Sequence, residues 1–310
     1  MNKTLTVFTP AFNRAHTLGR TYDSLCHQTC KDFKWLIVDD GSTDGTRNIV
    51  VSWINPATLQ PAADGFSGTV LSGDFEIRYI YKENGGLYTG YNTAYANIDT
   101  ELNVCIDSDD YMPDDAVEKI VNCWKIRGSK KYAGIIGLDF YHKGGAIGGE
   151  FPSEMSECYF LDLYVKGIHK ADTKEVMRTD LMKQVAPQVG FPGEKNFNPV
   201  YMLLQVCDKY PMLLLNENLC FVDYQDDGMA ANIFKQYVDS PRSFSKLRIL
   251  EMQLTRNPMK SKFRSAVHYV SSSILSHDSH WLKNSPHKLL TILAVPFGVA
   301  LFFLIKIKVK

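Results

Sequence analysis

The sequence predicts an α/β protein: a mostly parallel central sheet with helices on both faces, followed by a helical, membrane-associating extension. Three observations predict it. Apolar strand-like runs alternate with helical periodicity through the first 140 or so residues. Each of the first four runs ends in a loop rich in Asp, Asn, Gly or Ser. The chain closes on the apolar run LLTILAVPFGVALFFLI, residues 289 to 305, before KIKVK.

Taken in order, Thr4 to Thr9 suits a first strand, and His16 to Gln28 a helix with Leu18, Tyr22 and Leu25 on one face. Lys34 to Val38 is a second strand. Asp44 is suited to cap a helix from about Thr46 to Ile54. Pro56 to Asp74, rich in Pro, Gly, Ala and Ser, predicts an irregular insertion. Glu76 to Tyr81 is a third strand, Tyr88 to Asn97 a helix, and Leu102 to Ile106 a fourth strand. Pro113 begins a helix that carries Val117, Ile120, Val121 and Trp124 on one face, and residues 132 to 140 form a fifth strand. Beyond it, NPVYMLLQV predicts a helix, and PMLLLNENLCFVDY two strands with a turn at Asn216. The boundaries expected are a body over residues 1–239, divided at 140, a basic helical extension over 240–288 and an apolar tail over 289–310.

Charge separates these regions. The 310 residues are formally neutral, but from Ser240 onward there are 12 of the 34 Lys+Arg and only two of the 34 acids, Glu251 and Asp278. That leaves 22 basic and 32 acidic residues before the boundary. An acidic body suits cations and hydroxyl-rich ligands, and a basic end beside an apolar tail suits an anionic membrane surface. Nucleic acid is a poor partner, because the basic excess lacks interleaved aromatics. Seven cysteines with no CxxC pair predict a reducing compartment, and the first strand begins with no signal peptide before it, which predicts a cytoplasmic body. Cys26 and Cys30 have no second ligand pair nearby, so buried thiols are the simpler reading.

The polar loops carry the chemistry. Open α/β sheets bind ligands beyond the carboxyl ends of their strands. Here TPAFNR, DDGS, KENGG and DSDD occupy those ends. Asp107, Asp109 and Asp110 crowd three carboxylates into four residues after a core strand. Such a cluster needs a cation or open water, and carboxylate oxygens suit Mg²⁺ or Mn²⁺.

TVFTPAFNR, WLIVDDGSTDGT, ENGGLYTGYNTA and CIDSDDYMPDDAV together resemble the family 2 glycosyltransferases of GT-A fold, over roughly residues 4 to 140. HKADTKEVMRTDLMK, GFPGEKNF and VDYQDDGM extend a looser resemblance to bacterial members that build surface polysaccharides. The resemblance implies transfer of a hexose or N-acetylhexosamine from a UDP- or dTDP-sugar to a lipid-linked glycan, with inversion, at the cytoplasmic face of the bacterial membrane. It implies that Asp109 is the main ligand of Mg²⁺ or Mn²⁺ in the family's Asp-x-Asp motif, with Asp107 near the metal or ribose and Asp110 supporting the loop. Pro10, Phe12 and Asn13 would line the nucleoside, Phe12 standing where relatives often have Tyr. Asp40 would accept the base N–H, and Lys82 or Arg14 would meet a phosphate. Leu87 replaces a polar or basic residue of many relatives. Glu194 is implied as the general base, with Asn196 inserted before Phe197 relative to the GEKF-type motif, and Asp226 or Asp227 as substitutes. The competing readings are a sugar-phosphate nucleotidyltransferase, whose Gly-rich N-terminal loop is missing from TPAFNRAHT, and a non-catalytic nucleotide-sugar-binding or membrane assembly subunit, against which the Asp107/Asp109 pair counts.

Overall fold

In the computed structural model, which describes residues 3–222 and 232–309, a ten-stranded mixed sheet runs β3-β4-β5-β2-β1-β6-β9-β7-β10-β8. The strands are β1 Leu5–Ala11, β2 Phe33–Asp39, β3 Gln60–Ala62, β4 Gly65–Thr69, β5 Glu76–Tyr81, β6 Leu102–Cys105, β7 Gly134–Tyr141, β8 Glu157–Cys158, β9 Thr173–Arg178 and β10 Met212–Val222. The helices are α1 Leu18–Cys26, α2 Thr46–Trp53, α3 Leu87–Asn97, α4 Ala116–Arg127, α5 Phe160–Val165, α6 Thr179–Val185, α7 Val200–Cys207, α8 Ile233–Asp239, α9 Pro241–Gln253, α10 Met259–Leu275, α11 Trp281–Asn284 and α12 Lys288–Lys308.

Side-chain alternation explains why the middle strands are buried on both faces. Leu5, Val7, Trp35, Ile37 and Ile77 enter one core cluster, shared with Leu18, Val50 and Ile120 of α1, α2 and α4. Phe8, Leu36, Val38 and Ile80 point to the other, shared with Ala94 of α3, Leu163 of α5, Leu181 of α6 and Met202 of α7. Leu247 of α9 and Leu254 just beyond it join that second cluster, so the extension packs on the body. β5, β2, β1 and β6 are mutually parallel, so their carboxyl ends open on one edge of the sheet.

Three expectations are corrected. Residues 56–74 are not simply irregular: β3 and β4 form a short antiparallel hairpin that extends the sheet beyond β5. Phe66 supplies the reason, burying its ring against Tyr79 with centroids 4.6 Å apart. Residues 212–222 do not turn at Asn216 but continue as one strand parallel to β7, with irregular register between Leu214 and Cys220. The Asn216 side chain instead makes paired hydrogen bonds of 2.8 Å with the Phe151 backbone. The sheet is also more mixed than expected, because β9 inserts antiparallel between β6 and β7.

The apolar end is a helix lying along α10. Thr291, Ala294, Gly298 and Ile305 are buried. A Cβ on Gly298 would stand 2.5 Å from the Val270 Cβ, so the two helices meet at a distance that only glycine permits. Leu289, Ile292, Leu293, Phe297, Phe303, Leu304 and Ile307 remain exposed. Among the described residues it is the one helix long and apolar enough to cross a membrane.

Candidate active site

The first two loops are tied together by Asn13. Its backbone takes the left-handed conformation (φ 54°), which Asn tolerates better than most residues. Its N–H donates to Ser42 Oγ at 2.8 Å, and its side-chain oxygen accepts from Thr43 N at 2.8 Å. Pro10 is buried at the end of β1, whereas Phe12 stands 47% exposed. Asp44 accepts from Ala15 N and Thr46 N, so it holds the first loop as well as starting α2.

The two carboxylates of DDGS do different work. Asp39, fully buried, accepts from Ser42 N at 2.7 Å and from the Tyr79 hydroxyl. Asp40 reaches into the third loop. It accepts from Gly85 N at 3.0 Å and Gly86 N at 2.8 Å, and it is ion-paired with Lys82. Lys82 also donates to Thr89 Oγ1 at 2.8 Å. Two residues expected to face the donor separately are therefore partners of each other. Gly86 (φ 94°) is required in that turn, since a Cβ there would lie 2.1 Å from Lys195 O.

The acidic loop after β6 is fixed through its backbone. Arg20 Nη2 donates to Asp109 O at 2.7 Å and Thr21 Oγ1 to Asp110 O at 2.8 Å, both from α1. Gln28 Nε2 donates to Pro113 O at 2.7 Å. Asp110 is buried, Asp109 half-buried and Asp107 exposed. Burial, and then the Asp107 charge beside it, push the Asp109 carboxyl above its ordinary value, against the pull of Arg14 and Arg20. A divalent ion would relieve that repulsion. Among the described residues no group of three His, Cys, Asp or Glu could hold a metal unaided. Two hard carboxylates at a loop edge nevertheless fit an ion that takes its other ligands from phosphate and water, the habit of Mg²⁺.

Sequence reasoning missed Lys174. It rises from β9 with its Nζ 3.6 Å from Asp139 Oδ1, and both side chains are nearly buried. Burial opposes its charge, but Asp139 foremost, with Cys220, Asp110 and Asp107 behind it, holds the ammonium well above its usual range. Lys174 is thus the countercharge of Asp139 on β7. Its signal in the sequence is weak, because the strand TKEVMR carries three charged residues.

Glu194 is only 6% exposed. Its Oε1 accepts from Arg242 N and Nε, each at 3.0 Å, and its Oε2 from Ser243 N at 2.7 Å. The expected base is therefore also an acidic cap on α9. Tyr88 lies near both carboxylates: burial, then the charges of Asp40 and Glu194, push its hydroxyl pKa up. Lys195 Nζ donates to Asn84 Oδ1 at 2.6 Å, which joins the 191–197 loop to the third loop. Asp226 and Asp227 lie outside the described residues.

Comparison with known proteins fits this geometry. The profile of Glycosyl transferase family 2 matches residues 6–144. Glycosyltransferase GlyA of Streptococcus pneumoniae serotype 4 is 30% identical over 116 residues, 37% of this chain and 14% of that protein. The chondroitin synthase of Pasteurella multocida is 29% identical over 114 residues, 37% of this chain and 10% of the synthase. The chain thus spans only a small part of these relatives. Among solved structures, S. aureus TarS 1-349 in complex with UDP-GlcNAc superposes with a TM-score of 0.58 at 16% identity, covering 96% of this chain and 80% of that one. The Pyrobaculum calidifontis mannosyltransferase PcManGT, in complex with GDP-Man and Mn²⁺, gives 0.53 at 15% identity over 97% of this chain and 74% of that one. With the polar loops of β1, β2, β5 and β6 on one edge of such a sheet, residues 6–144 match glycosyl transferase family 2, and the fold of the chain is GT-A.

Proposed function

We propose that the protein is an inverting, metal-dependent glycosyltransferase. It moves a hexose or N-acetylhexosamine from a UDP- or dTDP-sugar to a hydroxyl of a lipid-linked glycan, at the cytoplasmic face of a bacterial membrane, in surface polysaccharide synthesis. The observation that carries this reading is the loop edge where Asn13, Asp40, Lys82 and the Asp107/Asp109 pair follow four parallel strands. The solved neighbours that hold UDP-GlcNAc, or GDP-Man with Mn²⁺, support a nucleotide-sugar donor and a divalent ion.

In this reading Phe12 stacks on the base, while Pro10 and Asn13 shape the nucleoside site. Asp40, held rigid by Gly85 N and Gly86 N, accepts the imide N–H of uracil or thymine, and Lys82 turns from Asp40 to the diphosphate. Asp109 and Asp107 would hold Mg²⁺ or Mn²⁺. That ion, when bound, neutralises the charge of the departing diphosphate. Glu194 uses the acceptor direction left on Oε2 to take the proton of the acceptor hydroxyl. The acceptor oxygen bonds to the anomeric carbon as the bond to the diphosphate breaks, so a single displacement inverts the centre. Isothermal titration of UDP with and without Mn²⁺ tests the donor half. Tight binding that needs Mn²⁺ is expected, and binding indifferent to the ion would favour the non-catalytic subunit.

The tail is proposed to lie in the membrane interface. The run from 289 to 305 is at the short edge of a span, and Lys residues flank both ends, which a spanning helix would divide between the two leaflets. The apolar face left uncovered along α12 and the basic excess after Ser240 support an anionic surface as its partner. Truncation after Asn284 should release the protein from phosphatidylglycerol vesicles while donor hydrolysis survives. Strong labelling of a cysteine appended after Lys310, by an impermeant reagent added to intact cells, would instead mean that α12 spans.

A further inference from the structure

We infer that Arg242 is a positioning residue of the active site, so that the first turn of α9, far outside residues 6–144, completes the catalytic unit. This rests on the base role proposed for Glu194. Two features of the contact point beyond simple packing.

First, the carboxylate is held at both oxygens. Arg242 N and Nε converge on Oε1 and Ser243 N on Oε2. A carboxylate has about four acceptor directions, and three are spoken for, all by the first turn of α9. The fourth, on Oε2, therefore has a fixed orientation, as expected of a base aligned by a third group. The buried charge is also compensated, which a carboxylate this enclosed requires.

Second, the same guanidinium braces the loop just before the carboxylate. Its Nη2 donates to Pro192 O at 2.5 Å, and it lies 5.4 Å from the centre of the Phe191 ring. Asn196 N donates to Ser240 Oγ at 3.2 Å. From the opposite direction Lys195 grips Asn84 of the donor-side turn. The 191–197 loop is thus stretched between the third sheet loop and α9, with Arg242 holding its first half and Ser240 its second. Only the side-chain contacts are lost on substitution at 242, because the two backbone donors persist in any variant.

The test uses the full chain, Mn²⁺ and a panel of UDP-hexoses and UDP-N-acetylhexosamines, and reads UDP release. Arg242→Ala should lower kcat by about ten- to a hundredfold, the scale of a small misplacement of a catalytic group. Donor KM and UDP affinity should stay put, and Arg242→Lys should recover part of the loss. Hydrogen exchange over residues 191–197 should rise in Arg242→Ala, a reading that does not depend on turnover. The deciding measurement is the double variant with Glu194→Gln. If Arg242 acts through Glu194, the second substitution adds almost nothing to the first. Additive losses, or a Tm decrease with unchanged kcat, would reduce Arg242 to a structural contact. Full turnover in Glu194→Gln alone would instead sink the base assignment on which this inference stands.

Discussion

Asp109→Ala is expected to abolish metal-dependent UDP binding and transfer while leaving the fold intact. Two facts separate function from folding at this residue. Its structural contact runs through the main chain, where Arg20 grips the Asp109 carbonyl, and that bond survives any side-chain change. Its carboxylate, by contrast, is pushed towards the protonated form by burial and by Asp107. Removing it takes away a repulsion in the metal-free protein. In the loaded site the same loss removes one of two protein ligands. If the ion contributes about 4 kcal/mol to the transition state, the scale of Lewis-acid stabilisation, turnover falls about a thousandfold. Asp110→Ala should do less damage to activity, because that buried residue supports the loop. The comparison to make is UDP affinity with and without Mn²⁺, together with thermal unfolding, for both variants. Near-normal turnover of Asp109→Ala in Mn²⁺ would remove the metal assignment.

Glu194→Gln should lower turnover by about a hundredfold or more, the usual scale for loss of a general base. The structure adds a second consequence that the sequence could not supply. Glutamine keeps one acceptor oxygen but turns an amide NH₂ towards donors that need an acceptor, either Ser243 N or the Arg242 pair. The cap on α9 is weakened by about 1–2 kcal/mol, and Tm should fall accordingly. UDP affinity should barely move, since Glu194 serves the acceptor. Turnover and Tm thus report on different properties of one carboxylate. A lower Tm with unchanged turnover would make Glu194 a cap alone and leave Asp226 or Asp227 as the base.

Much of the fold could be read locally. In Trp35-Leu36-Ile37-Val38 a buried face alternates with a buried face, so a doubly covered strand follows from four residues. Asp-Gly and Asn-Gly turns marked the loop edge, and the acidic loop announced itself within four positions. The helix expected to begin at Pro113 starts instead at Ala116, after Pro113 O has accepted from Gln28. The hairpin at 60–69 was hidden because its strands are three and five residues long, with Pro and Gly among them. Asn216 carried turn chemistry that its pairing with Phe151 absorbed into a bulge.

The sequence by itself determined the alternating α/β body, the polar edge, the acidic pair and the apolar end. Each of these is written in periodicity or turn preference within a dozen residues. Only the tertiary structure decided which charges meet. Asp40 finds Lys82 across 42 positions and Glu194 finds Arg242 across 48. Lys174 answers Asp139 of β7 because β9 inserts antiparallel beside that strand. Local preference says nothing about such partners. They follow from strand order and from the need to neutralise a charge once packing has taken it out of water.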